Sequence, residues 1–116
     1  MKKLAVVGSR SFFNFNFLES KILENYKIDD LDLIISGGAI GCDSLSQSFC
    51  KKYGLKILII YPNWNKYGSQ AGFIRNKLIV ENCDELICFR IDKSKGCSHS
   101  VELAKKMNKK VWVYDF

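Results

Sequence analysis

Glycine, serine and arginine residues stand directly after short apolar runs of this sequence, in a pattern that could bind phosphate. Gly8, Ser9 and Arg10 follow the apolar residues 4–7. A glycine lets the backbone turn sharply beside a ligand, while a hydroxyl and a planar guanidinium suit phosphate oxygens. An ordinary Gly-Ser turn with a solvated arginine fits the same residues, so both interpretations stay open.

The glycine-rich loop of residues 36–43 gives the most informative pattern. Three glycines stand between an apolar run and an amphipathic segment, so N–H groups at a helix start can point at an anion. One such interaction contributes about 0.3–1 kcal/mol, so several donors must converge. The spacing matches neither Gly-x-Gly-x-x-Gly nor the P-loop ending. We expect Gly37, Gly38 and Ala39 to contact phosphate, whereas Asp43 either caps the helix or holds a ribose hydroxyl.

Residues 61–76 form a long predicted loop that ends in Arg75 and Asn76. Loops of more than about 12 residues in a compact domain are usually functional or disordered. Trp64 and Tyr67 indicate an ordered segment rather than a disordered one. Their rings could stack on a base or cover the end of a sheet. Arg75 either binds phosphate through two N–H groups or braces the neighbouring loops.

The serine-rich loop of residues 90–100 offers a second anion site. Ser94, Gly96, Ser98 and Ser100 supply hydroxyls and exposed amides at the start of a predicted helix. The pKa of Cys97 could be lowered beside a helix start, but a small, unreactive position is the simpler interpretation. Across the four loops, the predicted ligand-binding residues are Gly8, Ser9, Arg10, Gly37, Gly38, Ala39, Asp43, Arg75, Asn76, Ser94, Gly96, Cys97 and Ser98.

The elements that position these loops are indicated by five apolar runs. The runs occupy residues 4–7, 33–35, 57–60, 86–89 and 111–114, and segments with helical spacing occupy 17–26, 42–53, 74–82 and 100–107. Continuous rather than alternating apolar runs are typical of parallel strands covered on both faces. The alternation predicts an α/β fold: an open parallel sheet of about five strands with helices on both faces, and ligands beyond the carboxyl ends of the strands.

Composition indicates one cytoplasmic domain over residues 1–116. The four apolar residues before Gly8 are too few for a signal peptide or a spanning helix, so no membrane association is expected. Five cysteines without Cys-x-x-Cys spacing and a single histidine, His99, do not form a metal pattern. We interpret the cysteines as reduced thiols and His99 as a solvated or hydrogen-bonded side chain.

The formal net charge of +6 suits a phosphorylated or polyanionic partner. Several lysine pairs, however, stand at the ends of predicted helices, where cations also favour the helix dipole. A solvated basic surface and a nucleic-acid interface therefore both fit the charge.

Taken in order, these motifs resemble the SLOG superfamily, most closely its small YspA-like branch. The matching positions span nearly the whole chain: 6–10, 36–39, 41, 43, 67–68, 71–72, 74–76, 94–96 and 99–100. The resemblance implies a Rossmann-like fold, a nucleotide or nucleotide-derived ligand at these loops, and self-association into homodimers or larger homo-oligomers.

Two groups within that superfamily imply different activities. The Lonely Guy enzymes are phosphoribohydrolases with a Gly-Gly-x-Gly-Thr-x-x-Glu motif, in which Cys97 here replaces the threonine and Ser100 the catalytic glutamate. Without that carboxylate, water activation would need another acid, Asp43 or Glu102. DNA-processing protein A is similar at residues 36–43 and 75–76, and it binds single-stranded DNA.

We therefore expect the protein to sense or sequester a nucleotide-type phosphate ligand, such as an ADP-ribose-like signal, with no required cofactor. A nucleoside-monophosphate phosphoribohydrolase is the alternative, because the resemblance includes such enzymes. Single-stranded DNA binding is the third hypothesis, supported by the basic charge and by aromatic residues that could stack on bases.

Overall fold

Strands and helices alternate along the chain. The computed structural model describes residues 1–38 and 40–116. Ala39, predicted to contact phosphate, therefore lies outside the described residues. The elements are β1 (Lys2–Gly8), α1 (Phe15–Asn25), β2 (Leu31–Ser36), α2 (Cys42–Tyr53), β3 (Ile57–Ile59), α3 (Trp64–Tyr67), α4 (Ala71–Asn82), β4 (Glu85–Arg90), α5 (Lys95–Lys106) and β5 (Lys110–Asp115). Short 3-10 turns precede β2 at Ile28–Asp30 and α4 at Gly68–Gln70.

The five strands form one parallel sheet in the order β3-β2-β1-β4-β5. The chain moves outward from β1 through β2 to β3, and then returns across the sheet to β4 and β5. The direction of winding therefore reverses between β1 and β4. At such a switch point the flanking loops diverge and leave a crevice beyond the carboxyl ends of the strands. The predicted open α/β fold is confirmed.

Alternate residues of the central strand face two separate apolar layers. Val6 packs in the layer that contains Phe49 of α2, and Val7 packs in the layer that contains Ile79 of α4 and Val101 of α5. Full burial of such a side chain contributes about 1.5–3 kcal/mol. The helices are thereby fixed on both faces of the sheet, and their first turns lie at the edge where the strands end.

Two helices begin three or more residues earlier than the sequence pattern predicts. α5 begins at Lys95 rather than at residue 100, and α4 begins at Ala71 rather than at residue 74. Glycine, serine and histidine favour helix only weakly, yet Cys97 is buried in the same apolar layer as Val101 and Ala104. Burial at this helical spacing outweighs the local preference and extends α5 by more than a turn.

The predicted long loop of residues 61–76 was also wrong in detail. It contains α3, a 3-10 turn and the first residues of α4. Asn63 begins α3, because its side-chain oxygen accepts a hydrogen bond of 3.1 Å from the N–H of Lys66. The segment is therefore ordered by local hydrogen bonds.

The five cysteines are free thiols, as the sequence predicted, and the structure buries all five. In the part of the chain that the structure describes, no helix combines the length and apolarity needed to cross a bilayer. Across those same residues, no group of three His, Cys, Asp or Glu side chains is placed to hold a metal ion.

Candidate functional site

A pocket of about 200 Å³ lies at the switch point between β1 and β4. We call it the switch pocket. Loops that follow β1 and β2 contribute to it, together with the N-terminal halves of α2 and α5 and the middle of α4. Its lining residues are Val7, Gly8, Arg10, Gly37, Asp43, Arg75, Asn76, Ile79, Gly96, Cys97 and Ser100. The fold thus brings together residues from all four predicted loops.

Arg75 is held in a fixed position at the mouth of the switch pocket. Its Nη1 donates a hydrogen bond of 2.7 Å to the carbonyl oxygen of Gly37, and its Nε donates one of 2.9 Å to Oδ1 of Asn76. A guanidinium carries five N–H donors, so donors remain for a ligand. Burial lowers the pKa of Arg75, and the charge of Asp43 partly offsets this effect. The side chain stays protonated at neutral pH.

Arg10 supplies a second cation at the same pocket. Arg10 is exposed and lines the pocket together with Arg75. Electrostatic repulsion from Arg10 acts on the pKa of Arg75 in the lowering direction, as a smaller effect than burial. An anion between them would relieve this repulsion.

The first turn of α5 presents backbone N–H groups to the switch pocket. Lys95, Gly96 and Cys97 are the first residues of this helix, and Gly96 and Cys97 line the pocket. N–H groups in a first turn have no partner within the helix, and the helix dipole favours an anion there. A Cβ atom at Gly96 would meet nothing within 4 Å, so the space beside this turn is open.

Cys97 lies in an environment that stabilises its thiolate. Hydrogen bonding from the Cys88 thiol is the largest cause, with further hydrogen bonds from Ser94 and Ser9, and together they lower the pKa of Cys97 to about 6 despite burial. The Oγ of Ser9 lies 3.8 Å from its Sγ. The pKa of Cys88, as the donor, is raised. Cys97 is also 6% exposed, so the small buried position that the sequence favoured and the lowered pKa apply to the same side chain.

Asn76 connects α4 to the start of α5. This residue is 6% exposed and uses both ends of its amide. Its Oδ1 accepts from Arg75, while its Nδ2 donates to the carbonyl oxygen of Gly96 at 3.4 Å and contacts Nδ1 of His99 at 3.3 Å. His99 is therefore a hydrogen-bonded histidine, one of the two states that the sequence predicted.

Three predicted site residues lie behind the lining of the switch pocket. Ser9 is buried, accepts a hydrogen bond of 2.9 Å from the N–H of Ile91, and lies 3.1 Å from the hydroxyl of Ser94. The hydroxyl of Ser98 instead accepts from Nη1 of Arg90 at 3.1 Å. Ser9 and Ser94 support Cys97, whereas Ser98 is directed toward Arg90.

Gly8 lines the switch pocket, but its missing side chain is required by the protein itself. A Cβ atom there would lie 2.6 Å from both Sγ of Cys42 and the carbonyl oxygen of Phe89. Packing between β1, α2 and β4 therefore accounts for this glycine.

An open groove of about 500 Å³ continues from the switch pocket. We call it the aromatic groove. It shares Arg10, Gly37 and Arg75 with the switch pocket and is otherwise lined by Gly38, Ile40, Tyr61, Pro62 and Trp64. Tyr61 is 65% exposed and Trp64 54%. Exposed rings beside two cations could stack on a base.

Three lining residues of the switch pocket are absent from the predicted set of ligand-binding residues: Val7, Ile79 and Ser100, the last of which was named only as part of the serine-rich loop. Ile79 stands four residues after Arg75 on α4, and Ser100 stands three residues after Cys97 on α5. Residues at these spacings share a helix face. The signal was present in the sequence, but the predicted start of α5 at residue 100 concealed it for Ser100.

Much of the basic charge lies away from this site. Lys51 and Lys52 stand in the last turn of α2, and Lys105 and Lys106 stand in the last turn of α5. Each of these helices runs back along the sheet after its strand, so the last turns lie at the opposite edge. The net charge of the protein is therefore not concentrated around the switch pocket.

The two carboxylates considered for hydrolysis occupy different places. Asp43 is 5% exposed in the first turn of α2 and lines the switch pocket. Glu102 is exposed on α5, and its charge acts on His99. Asp43 is therefore the carboxylate positioned to act on a pocket ligand, and it also stabilises the charge of Arg75.

These features define a class of protein: a Rossmann-like α/β fold with arginines and a helix N-terminus gathered at its switch point. Two solved structures of DNA processing protein A share the fold. The Helicobacter pylori protein, described with a single-stranded DNA binding mode, gives a TM-score of 0.71 at 21% identity over 96% of this chain and 64% of that chain. The Streptococcus pneumoniae protein gives 0.58 at 16% identity, over 94% of this chain and 57% of that chain.

The present chain thus spans less than two thirds of the length of either protein. At these identities the likeness shows the fold alone, and it confirms the Rossmann-like architecture that the resemblance implied. No family model matches the sequence, and no curated protein matches it significantly.

Proposed function

We propose that the protein binds a nucleotide-type ligand, with a phosphate group in the switch pocket and the base in the aromatic groove. One observation carries this proposal: Arg10, Arg75 and the open first turn of α5 converge on one pocket. Two guanidinium groups and backbone N–H donors form a suitable set for phosphate oxygens. Binding without turnover, as in sensing or sequestering an ADP-ribose-like signal, requires no cofactor.

The sizes and linings of the two cavities support this orientation. The switch pocket is the smaller, at about 200 Å³, and contains the polar donors. The aromatic groove, at about 500 Å³, is more open and carries Tyr61 and Trp64. We also propose, from the order of the motifs along the chain, that the protein belongs to the YspA-like branch of the SLOG superfamily. Self-association of the protein is a further part of this proposal.

The substitution Gly96→Asp tests this function with little disturbance to the fold. Position 96 has open space around it, and a carboxylate in the first turn of a helix is stabilising by about 0.3–1 kcal/mol. The same carboxylate would occupy the anion position, so calorimetric binding of AMP, ADP and ADP-ribose should be lost. Gly96→Asn is the matched neutral control and should retain measurable affinity. Equal affinity in wild type and Gly96→Asp would refute the phosphate site.

Single-stranded DNA binding is the second candidate, because the aromatic groove is open and continuous with the switch pocket. The shared fold with a protein that binds single-stranded DNA also supports it. The test is affinity for thymidine oligonucleotides of increasing length at several salt concentrations. Binding that strengthens with length, with a steep negative slope against salt, favours DNA. Affinity that stays at the mononucleotide level favours a small ligand.

A further inference from the structure

Asn76 has a defined amide orientation, and two partners determine it. Arg75 can only donate through Nε, so the atom 2.9 Å away must be the Asn76 oxygen. The Asn76 nitrogen then faces the carbonyl oxygen of Gly96 at 3.4 Å and Nδ1 of His99 at 3.3 Å. An amide nitrogen only donates, so Nδ1 of His99 must accept and its ring proton must reside on Nε2.

A continuous series of hydrogen bonds therefore runs from His99 through Asn76 and Arg75 to the carbonyl oxygen of Gly37. Asn76 also contacts Gly96 in the first turn of α5. One amide thus positions the two features proposed to bind phosphate, namely the Arg75 guanidinium and the N-terminus of α5. The imidazole of His99 is fixed in turn by the ring of Phe73, which meets it edge-on with centroids 4.8 Å apart.

We propose that His99 is a positioning residue for the phosphate site: its neutral imidazole holds the Asn76 amide in the orientation that places Arg75 and the first turn of α5. This inference rests on the proposed function, and it adds a regulator of the same site. Protonation of Nδ1 would replace an acceptor with a donor. The amide must then lose its imidazole partner, or rotate and direct its NH₂ group at Arg75.

The surroundings of His99 keep its imidazole neutral at physiological pH. Burial lowers the pKa of His99, with a raising effect from Glu102 and a lowering effect from Lys106, both on α5. From α4, the contacts that reach the ring are the neutral Asn76 amide and the Phe73 ring. Because this pKa lies below the ordinary value, ligand affinity should be full at neutral pH and fall as the pH drops below about 6.5.

Two variants distinguish the hydrogen-bond acceptor of His99 from the packing of its ring. In His99→Asn the side-chain oxygen occupies nearly the place of Nδ1, so it accepts from Asn76 at every pH. In His99→Phe the ring packing against Phe73 is retained and the acceptor is lost. AMP is the probe. Each affinity is compared with that of His99→Asn at the same pH, because protonation of the AMP phosphate then affects both proteins equally.

Near pH 7.5, wild type and His99→Asn should bind AMP alike, while His99→Phe should bind roughly three- to tenfold more weakly, the effect of one lost hydrogen bond. At a pH low enough for the imidazole nitrogen signals to show His99 protonated, wild type should fall relative to His99→Asn by roughly the same factor. A ratio that stays constant between the two pH values would overturn the proposal.

A second measurement needs no ligand and no variant. Nitrogen NMR of the wild-type imidazole should show the proton on Nε2 near pH 7.5. The Arg75 Nε–H signal should be sharp at that pH and should broaden at the lower pH where the imidazole signals report protonation of His99. A proton on Nδ1, or an Arg75 signal insensitive to pH, would contradict the positioning role. If wild type binds none of AMP, ADP and ADP-ribose at any pH, the proposed function fails, and the NMR result still decides the role of His99.

Discussion

The carbonyl oxygen of Gly37 accepts a hydrogen bond of 2.7 Å from Nη1 of Arg75, and a Cβ atom at position 37 would lie 2.7 Å from that same nitrogen. A real Cβ atom does not approach a nitrogen so closely. The absence of a side chain at Gly37 therefore lets the guanidinium lie against the loop after β2. This contact joins that loop to α4 and keeps Arg75 at the mouth of the switch pocket.

Replacement of Gly37 by alanine should displace Arg75 and weaken ligand binding. The backbone of Gly37 does not have a positive φ, so alanine is tolerated there and the long arginine side chain must move. Loss of a hydrogen bond to a charged group costs about 1.5–3 kcal/mol. Thermal unfolding should show a loss in this range, and calorimetry should show weaker AMP binding.

Gly72→Ala is the control for that experiment. A Cβ atom at Gly72 would lie 3.7 Å from the ring of Trp64, an ordinary contact, and the position is within α4. Stability and affinity should both be retained. Unchanged AMP affinity in Gly37→Ala would show that Arg75 does not bind the ligand.

Cys97 should react with alkylating reagents at a lower pH than the other cysteines. Its pKa is lowered to about 6, mainly by the hydrogen bond from Cys88, whereas burial raises the pKa of Cys42, Cys50 and Cys83. Because the thiolate is the nucleophile, the alkylation rate of Cys97 should rise as the pH increases through about 6 and then level off. Peptide mapping by mass spectrometry measures the alkylation rate of Cys97. Labelling of Cys97 only at pH values above 9 would show that its pKa is not lowered.

Trp64 should contribute to binding of ligands with a base and not to binding of phosphate alone. Base stacking on an aromatic ring contributes about 1–3 kcal/mol, so Trp64→Ala should weaken AMP binding accordingly. Affinity for inorganic phosphate, which occupies only the switch pocket, should be unchanged.

Fluorescence provides a direct measurement of this stacking. Trp112 is the second tryptophan and lies in β5, where its Nε1 donates to the hydroxyl of Tyr26 at 2.9 Å. In a Trp112→Phe variant the tryptophan emission comes from Trp64 alone, and AMP should still quench it. Quenching that disappears with Trp112 would exclude Trp64 from the ligand site.

Incubation with nucleoside monophosphates should release no free base above a no-protein control. Glu102 is exposed and lies outside the lining of the switch pocket, while Asp43 stabilises the charge of Arg75. Ser100, which stands where the Lonely Guy motif has a glutamate, donates its hydroxyl to the carbonyl oxygen of Gly96 at 3.3 Å. Chromatography detects any base. Release that is abolished by Asp43→Asn would instead identify Asp43 as a catalytic acid.

The sheet could be predicted because its signals are local. Apolar runs such as residues 86–89 match β4 in type and nearly in extent, and the continuous burial of that strand follows from helices on both faces. The start of α5 could not be predicted in the same way. Residues from Lys95 to His99 have weak helix preference, and only packing of Cys97 against the sheet makes them helical.

Residue type and spacing along the chain specify the parallel α/β architecture, the loops that carry ligand-type residues and the serine at position 100, where the Lonely Guy motif has a glutamate. The tertiary structure alone decided which of those residues meet. Arg75 and Gly37 stand far apart in sequence yet share a hydrogen bond. Asn76 lies in the predicted site because its side chain bonds to Arg75 and His99. Such contacts depend on strand order and helix packing, which bring distant segments together and which no local pattern encodes.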